Sequence, residues 1–418
     1  MTPQEPHDRD RGQRQSKQPI QHESHRVPSV SLPKGGGALK AIDEKFQVNA
    51  VNGTSALAIP LPFSHTRAGG PNLSLQYGSG AGNGPFGLGW SLDLPSIQRR
   101  TDKELPRYRD GGEGNEGDVF LLSGAEDLVP GLRRNSAGDW EPDEITVGTV
   151  RVVRYRPRIE GLFARIEQVT VAGHDGFYWK VTTRDNVVTF YGLTAAGRVA
   201  DPNAPTRIFR WLPQLTYDDT GNCFEYAYKV EDLACVPDSV EEHNRRGGVA
   251  PFANTYLKRI RYGNKTPYFR NPAQPWQPAA PATEYFFDAL LDYGEHDALA
   301  PTFAESNAWA CRHDPFSDYR AGFEIRTYRL CRRILFFHRF AELTPGPGPI
   351  PPCLVRSIDL TYRHLAFDGA PYQRHEVDLI DAVRQTFYKR AGAGYEHKSM
   401  PPFELDYHPL AWDMAVRS

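Results

Sequence analysis

Three glycines in LSLQYGSGAGNGPFGLGWSLDL (residues 73–94), Gly82, Gly84 and Gly87, have the spacing G-x-G-x-x-G after an apolar segment. In a dinucleotide site such glycines open a helix whose N-terminus faces the pyrophosphate. Here the next residues, Gly87-Leu-Gly-Trp-Ser-Leu-Asp-Leu-Pro95, alternate like a strand and stop at a proline. Pro85 also has no N–H to give a phosphate. Without the helix the spacing predicts no cofactor site. The glycines predict instead a structural turn made of Gly78, Gly80, Gly82, Gly84, Pro85, Phe86, Gly87, Gly89 and Trp90. Positive φ is expected in its successive turns, Gly82 and Gly84 included, with Phe86 and Trp90 packed over them.

Other chemistry is sparse. The chain has no G-x-S-x-G elbow, no G-K-[ST] loop and no H-E-x-x-H; His22-Glu-Ser-His25 lacks the i, i+4 spacing. Asp288, Asp292, Glu295 and Asp297 cluster with His296 but match no calcium-loop spacing, and they read as a solvated acidic loop. The cysteines (Cys223, Cys235, Cys311, Cys331, Cys353) form no C-x-x-C pair; Cys311 and His313 fall short of a metal site, and buried free thiols are expected. Arg154, Arg156 and Arg158 share a strand face, and a second basic run spans Arg326 to Arg339 with Arg329, Arg332 and Arg333. With 49 basic against 51 acidic residues these runs predict paired strand faces or an interface with an acidic domain, not a nucleic-acid groove. Trp140, Trp179, Trp276 and Trp309 leave open a carbohydrate-binding β module, although core or turn packing is the favoured explanation for them. No catalytic, cofactor or metal residue is assigned.

The elements that would carry these groups are strands. Leu73, Leu75 and Tyr77 alternate, as do Phe177–Val181, Thr189–Tyr191, Phe224–Tyr228 and Ile358–Tyr362. Turn signals at 172–176, 218–222, 262–264 and 345–349 separate them. Two stretches are ambiguous: Val377, Ile380, Val383 and Phe387 have near-helical spacing, and Asp288–Tyr293 fits a short helix or an irregular strand. With 37 glycines, 35 prolines and 12% aromatic residues, the fold class is mainly β. Turn-rich antiparallel strands are expected in an irregular β-sandwich or shell-like module with few short helices. Residues 1–28 are polar and proline-punctuated and are expected to be a disordered tail. Residues 29–412 form the folded region, with sub-units at about 30–130, 150–235 and 283–408, and 413–418 a short tail. No 18-residue apolar run occurs, and the N-terminus lacks the apolar core of a Sec signal. Export, if it happens, is expected by a non-Sec route; the alternative is a cytoplasmic protein before assembly.

Long collinear stretches resemble the N-terminal domain shared by SpvB and the B components of insecticidal toxin complexes. They include SLPKGGGALKAIDEKFQVNAVNGTSALAIPLPFS (31–64), GPNLSLQYGSGAGNGPFGLGWSLDLPSIQRRTDKELPRY (70–108), DVFLLSGAEDLVP (118–130), YRPRIEGLFARIE (155–167), DDTGNCFEYAYKVED (218–232), RIRYGN (259–264), DPFSDYRAGFEIRTYRLCRRILFFHRF (314–340) and PPFELDYHPLAW (401–412). The resemblance implies a non-enzymatic, β-rich assembly module. Its implied partners are other toxin-complex chains: B or C components with propeller or Rhs repeats, and a pore-forming A component. Some self-association through strand edges is also expected, while neither nucleic acid nor a membrane span is. No propeller or YD repeats follow Trp412, and no two glutamates lie two positions apart, so the transferase Glu-x-Glu of SpvB is not found in these 418 residues. A delivery domain of a split ADP-ribosyltransferase toxin is the alternative.

Overall fold

A computed structural model describes residues 45–48 and 55–407, apart from 68, 110–116, 124–125, 162, 248–251, 345–347, 368–374 and 393. The tails expected at 1–28 and 413–418 lie outside the described residues.

Alternating sequence becomes strand throughout. Phe177–Thr182, Val188–Tyr191, Cys223–Val230 and Cys353–Phe367 are strands, and the strand pairings are antiparallel. One continuous ladder starts at Arg198–Asp201 and passes through Ala204–Trp211, Ile97–Arg99, Phe120–Leu122 and Glu126–Pro130 to Val150–Pro157. It continues through Arg165–Val171, Phe177–Thr182, Val188–Tyr191, Pro213–Tyr217, Cys223–Val230 and Thr255–Asn264. Tyr285–Asp292, Arg333–His338, Cys353–Phe367 and the long His375–Ala391 follow. The ladder thus joins residues of the first hundred to strands a hundred positions later. The described α-helix, His243–Gly247, has 5 residues.

Two of the described cores are the largest. A smaller sheet of Lys45–Val48, Ser55–Pro60, Ser74–Gly78 and Trp90–Leu92 lies against the later strands as a sandwich. Leu57, Ile59, Leu75 and Trp90 from it meet Ile260, Tyr262, Leu291, Ile334, Phe336 and Ile380. Each such side chain withdrawn from water contributes about 1.5–3 kcal/mol. The second core is aromatic: Phe177 and Trp211 stack at 4.8 Å, and Phe120 lies 5.0 Å from Trp179. Trp211 Nε1 donates to the Phe177 carbonyl at 2.9 Å, drawing together strands far apart in the ladder. On the opposite face the proline-rich stretch 271–282 caps the sheet. Tyr178 and Lys180 donate to the carbonyls of Trp276 and Pro275, and Trp276 Nε1 donates to Glu167.

Both ambiguous stretches are strands. Asp288–Tyr293 falls mostly in Tyr285–Asp292. In His375–Ala391, Ala382 pairs with Thr361 and Ile380 with Tyr362, so Asp381 is an extra residue. That bulge shifts the buried side from Ile380 to Val383 and produces an i, i+3 spacing within a strand.

Candidate functional site

The glycine-rich turn is a docked hairpin. Asn83–Gly84 pairs with Gly87–Leu88 around Pro85-Phe86, and Trp90–Leu92 continues as strand. Positive φ occurs at Gly87 (+89°) and Gly89 (+80°), not at Gly82 or Gly84 as expected. The strain sits where the chain turns back against its neighbours. A Cβ on Gly87 would lie 2.5 Å from the Asp378 carbonyl oxygen, whereas one on Gly82 would meet nothing within 4 Å. Phe86 and Trp90 are buried. Trp90 Nε1 donates to Tyr407 Oη, which donates to the Ile380 carbonyl.

Beneath the hairpin lies Arg312, whose side chain is fully buried. Its guanidinium donates to both Asp314 oxygens, to the Gly84 carbonyl and to Asn83 Oδ1. Asn83 Nδ2 donates in turn to Asp314, and so does the Asp378 amide. Burial opposes ionisation of Asp314, but Arg312 and the neighbouring donors hold its carboxyl below the usual range. The arrangement clamps a turn and leaves no row of amides for a phosphate.

The basic run and the acidic cluster meet each other. Arg259 and Arg339 share Asp288, Arg333 pairs with Asp292 at 2.5 Å, and Lys229 and Lys258 both reach Glu295. Asp288, Asp292, Glu295 and His296 are buried, which overturns their reading as a solvated loop, whereas Asp297 is exposed as expected. Alternation explains the error: Asp288 and Asp292 lie on one face of a strand that is interior, and the arginines opposite supply the countercharge. Arg329 is fully buried and donates to Glu231 Oε1 and Asp232 Oδ1. Its guanidinium carbon also sits 4.2 Å from the Trp309 ring centroid. Spacing of like charges in sequence carried no trace of these partners; the alternation of Arg with apolar residues in a strand was the available signal.

A further network joins Arg326, Tyr328 and Arg245 to Glu242, and Arg245 to Glu324 at 2.6 Å. Burial works against Glu324, yet Arg245, Ser317 and Tyr319 hold its carboxyl at about 2. A carboxyl depressed on folding adds stability above its unfolded value near 4.3 and loses it as pH falls through the folded one. Stability is therefore expected to drop between about pH 4.3 and 2, and Glu324→Gln to flatten that limb in urea titrations across the window. An unchanged pH profile would refute this.

Ser64 Oγ lies 2.8 Å from His338 Nε2, the geometry of a nucleophile and its base. Burial and then Arg356 push the imidazole down to about 4, which leaves a feeble base. Trp179 and Trp309 are core residues and Trp276 is half-buried, whereas Trp140 is 63% exposed beside Arg134. Cys223, Cys331 and Cys353 are buried, but Cys235 is exposed and Cys311 half-buried, so the expectation of buried thiols fails at those two. Cys235 sits in a turn at φ +57°.

Comparison with known proteins decides the family. The SpvB family model, described as Salmonella virulence plasmid 65kDa B protein, matches residues 49–340. The chain belongs to the SpvB family. Mono(ADP-ribosyl)transferase SpvB of Salmonella choleraesuis (strain SC-B67) is 35% identical over 374 residues, 85% of this chain and 59% of the relative. The same-named protein of Salmonella dublin is 35% identical over 83% of this chain and 58% of its own. The chain therefore spans less than two thirds of the curated relatives it matches. Among solved structures, TcdB2-TccC3 aligns with a TM-score of 0.72 at 31% identity, over 92% of this chain and 18% of that one. The N-terminal domain of effector protein SpvB from Salmonella typhimurium strain LT2 aligns at 0.66 and 33% identity, over 79% of this chain and 98% of that one. The mainly β fold is thus that of an SpvB and toxin-complex module. The glycine hairpin and the Arg312 and Arg329 clusters lie within the SpvB-matched span, while Asp378 and Tyr407, which brace the hairpin, lie beyond it.

Proposed function

We propose that this SpvB-family chain is a non-enzymatic structural and assembly module of a toxin complex, contributing a β-rich shell or docking surface for a toxin payload. The supporting observation is the alignment of 92% of the chain to only 18% of TcdB2-TccC3, as one module of a larger assembly. The charged clusters favour the same reading, since their carboxylates and guanidinia neutralise one another inside the fold. Its partners are other toxin-complex chains, B or C components with propeller or Rhs repeats and a pore-forming A component, and it leaves the cell by a non-Sec route. It needs no cofactor. The glycine hairpin acts as a structural pin within the module.

Purification from the native cells, with intact-mass measurement of the species and identification of every chain in it, tests this. The expected result is a species well above 47.0 kDa that contains toxin-complex polypeptide, whether in the same chain or in others. A lone species of 47.0 kDa with no such partner overturns the assembly role. The second reading, the delivery part of an ADP-ribosyltransferase toxin, is favoured by the name of the curated relatives. It predicts a transferase encoded alongside. Transfer of label from NAD to a protein acceptor by this chain alone would overturn the non-enzymatic assignment.

A further inference from the structure

Arg154, Arg156 and Arg165 line a recess of about 350 Å³ with Asp143 and Ala164, above a floor formed by Tyr155 and Ile166. Tyr155 and Ile166 are paired across neighbouring strands and belong to the aromatic core. Arg156 and Arg165 are the next residues along each strand, both exposed on the other face. The strand register ends at Tyr155 and Ile166, so the two arginines are not a ladder pair, but both line the same recess, where like charges repel. Yet neither arginine has a carboxylate partner among the described ion pairs, in a fold that neutralises its interior charges carefully.

The surroundings of the recess lean the same way. Arg154 approaches Asp143 only at 3.3 Å, and its Nε is buried without a hydrogen-bond partner. Lys180, on the adjoining strand, has its ammonium pKa lowered by burial; Glu167 opposes the shift, while Arg165 and Arg270 add to it. Asp143 pairs with Arg154 and Glu167 with Lys180, Asp127 is engaged by Arg100 and Arg158, and Glu160 in the joining loop accepts the Phe163 amide. The loop joining the two strands adds an apolar flank: Ile159 is 78% exposed and Phe163 67%. Phe163 is held at φ +49° with its amide on Glu160 Oε1 at 2.7 Å. A bulky residue at positive φ is rare and is a strained feature that surrounding structure must maintain.

We propose that this recess docks an acidic segment of a partner polypeptide, whose carboxylates accept from the forks of Arg156 and Arg165 while an adjacent apolar side chain rests on Ile159 and Phe163. Guanidinium forks match carboxylates two bonds at a time, and clusters of them read acidic motifs. That the partner is a polypeptide rests on the assembly reading; the charge imbalance stands without it.

The test titrates the full chain with a fluorescein-labelled synthetic peptide of alternating glutamate and leucine, with the glutamine–leucine peptide and sodium sulfate as comparisons. The acidic peptide is expected to bind, more weakly as salt rises. The Arg156→Gln/Arg165→Gln variant should lose about tenfold or more in affinity and Phe163→Ser a smaller factor, roughly threefold. The thermal midpoint of the double variant should equal or exceed the parent's, since opposed charges have been removed, so weaker binding is not misfolding. Undiminished binding by the double variant, no binding by the parent, or equal binding of the glutamine peptide overturns the proposal. Sulfate binding as tightly as the acidic peptide would mean an oxyanion site and overturn the polypeptide assignment. Because the titration uses the isolated chain, it reads out whether or not the native complex is found. A double variant that still assembles in cells would defeat this inference and leave the assembly role standing.

Discussion

Gly87→Val is expected to destabilise the protein by about 3–5 kcal/mol, from backbone strain at positive φ and from overpacking. At φ +89° a β-branched side chain is strained before it touches anything, and its Cβ would stand 2.5 Å from the Asp378 carbonyl oxygen and 3.3 Å from Tyr362. The oxygen belongs to a strand paired along most of its length, so it cannot retreat as a flexible side chain would. A loss of that size is a fifth or more of the stability of a typical domain, about 5–15 kcal/mol. Gly89→Val should cost less, because its tightest contact, 2.6 Å off, is with the ring of Tyr77, and the nearest backbone atom, the Gly78 carbonyl oxygen, stands at 3.2 Å. Gly82→Val should stay within about 1 kcal/mol of the parent, since its site is open and its φ ordinary. Urea midpoints for the three variants give the ranking. Equal damage at Gly82 and Gly87 would show that the hairpin is not pinned against the long strand.

The contrast between those glycines marks how far the sequence could be read. Alternation located Phe177–Thr182 and Cys223–Val230 because each presents one apolar face to a core, which is a local property. It left Val377–Phe387 ambiguous, because a one-residue bulge turns the period of two into a step of three between Ile380 and Val383. The glycine spacing pointed to Gly82 and Gly84 and not to Gly87 and Gly89, because the atoms that crowd Gly87 come from Asp378 and Tyr362, far along the chain. The acidic cluster failed for the same reason. Asp288 and Asp292 look hydrophilic in sequence, and their burial becomes tolerable only when Arg259, Arg333 and Arg339 arrive from other strands. The recess at Arg156 has the opposite character. Its residues were visible as an alternating basic run, and what the fold adds is that Arg165 stands beside them without a carboxylate of its own.

Arg329→Met is expected to be comparably damaging, by about 3–5 kcal/mol at pH 7, because it strands a buried carboxylate. Arg329 Nε donates to Glu231 Oε1 at 2.7 Å, and its other nitrogens satisfy Asp232 and the carbonyls of Ala234 and Trp309. Without it, Glu231 keeps Tyr256 Oη at 2.5 Å and the Tyr328 amide at 3.1 Å but loses its countercharge. Burial already raises the Glu231 carboxyl above its ordinary range, with Arg329 pulling it down, so removing the arginine raises it further. A carboxyl whose folded pKa exceeds the unfolded value near 4.3 contributes fully below that value and loses its contribution as pH rises through the folded one. The deficit of Arg329→Met should therefore shrink by about 1 kcal/mol or more between pH 7 and pH 5. Glu231→Gln placed in the same variant should recover part of the loss at pH 7, since a neutral amide needs no countercharge. Urea denaturation of parent, single and double variants at both pH values measures all of this. A deficit that ignores pH and resists Glu231→Gln would locate the cost in the lost packing against Trp309, 4.2 Å from the guanidinium, and remove the ion pair from the account of what holds these strands together.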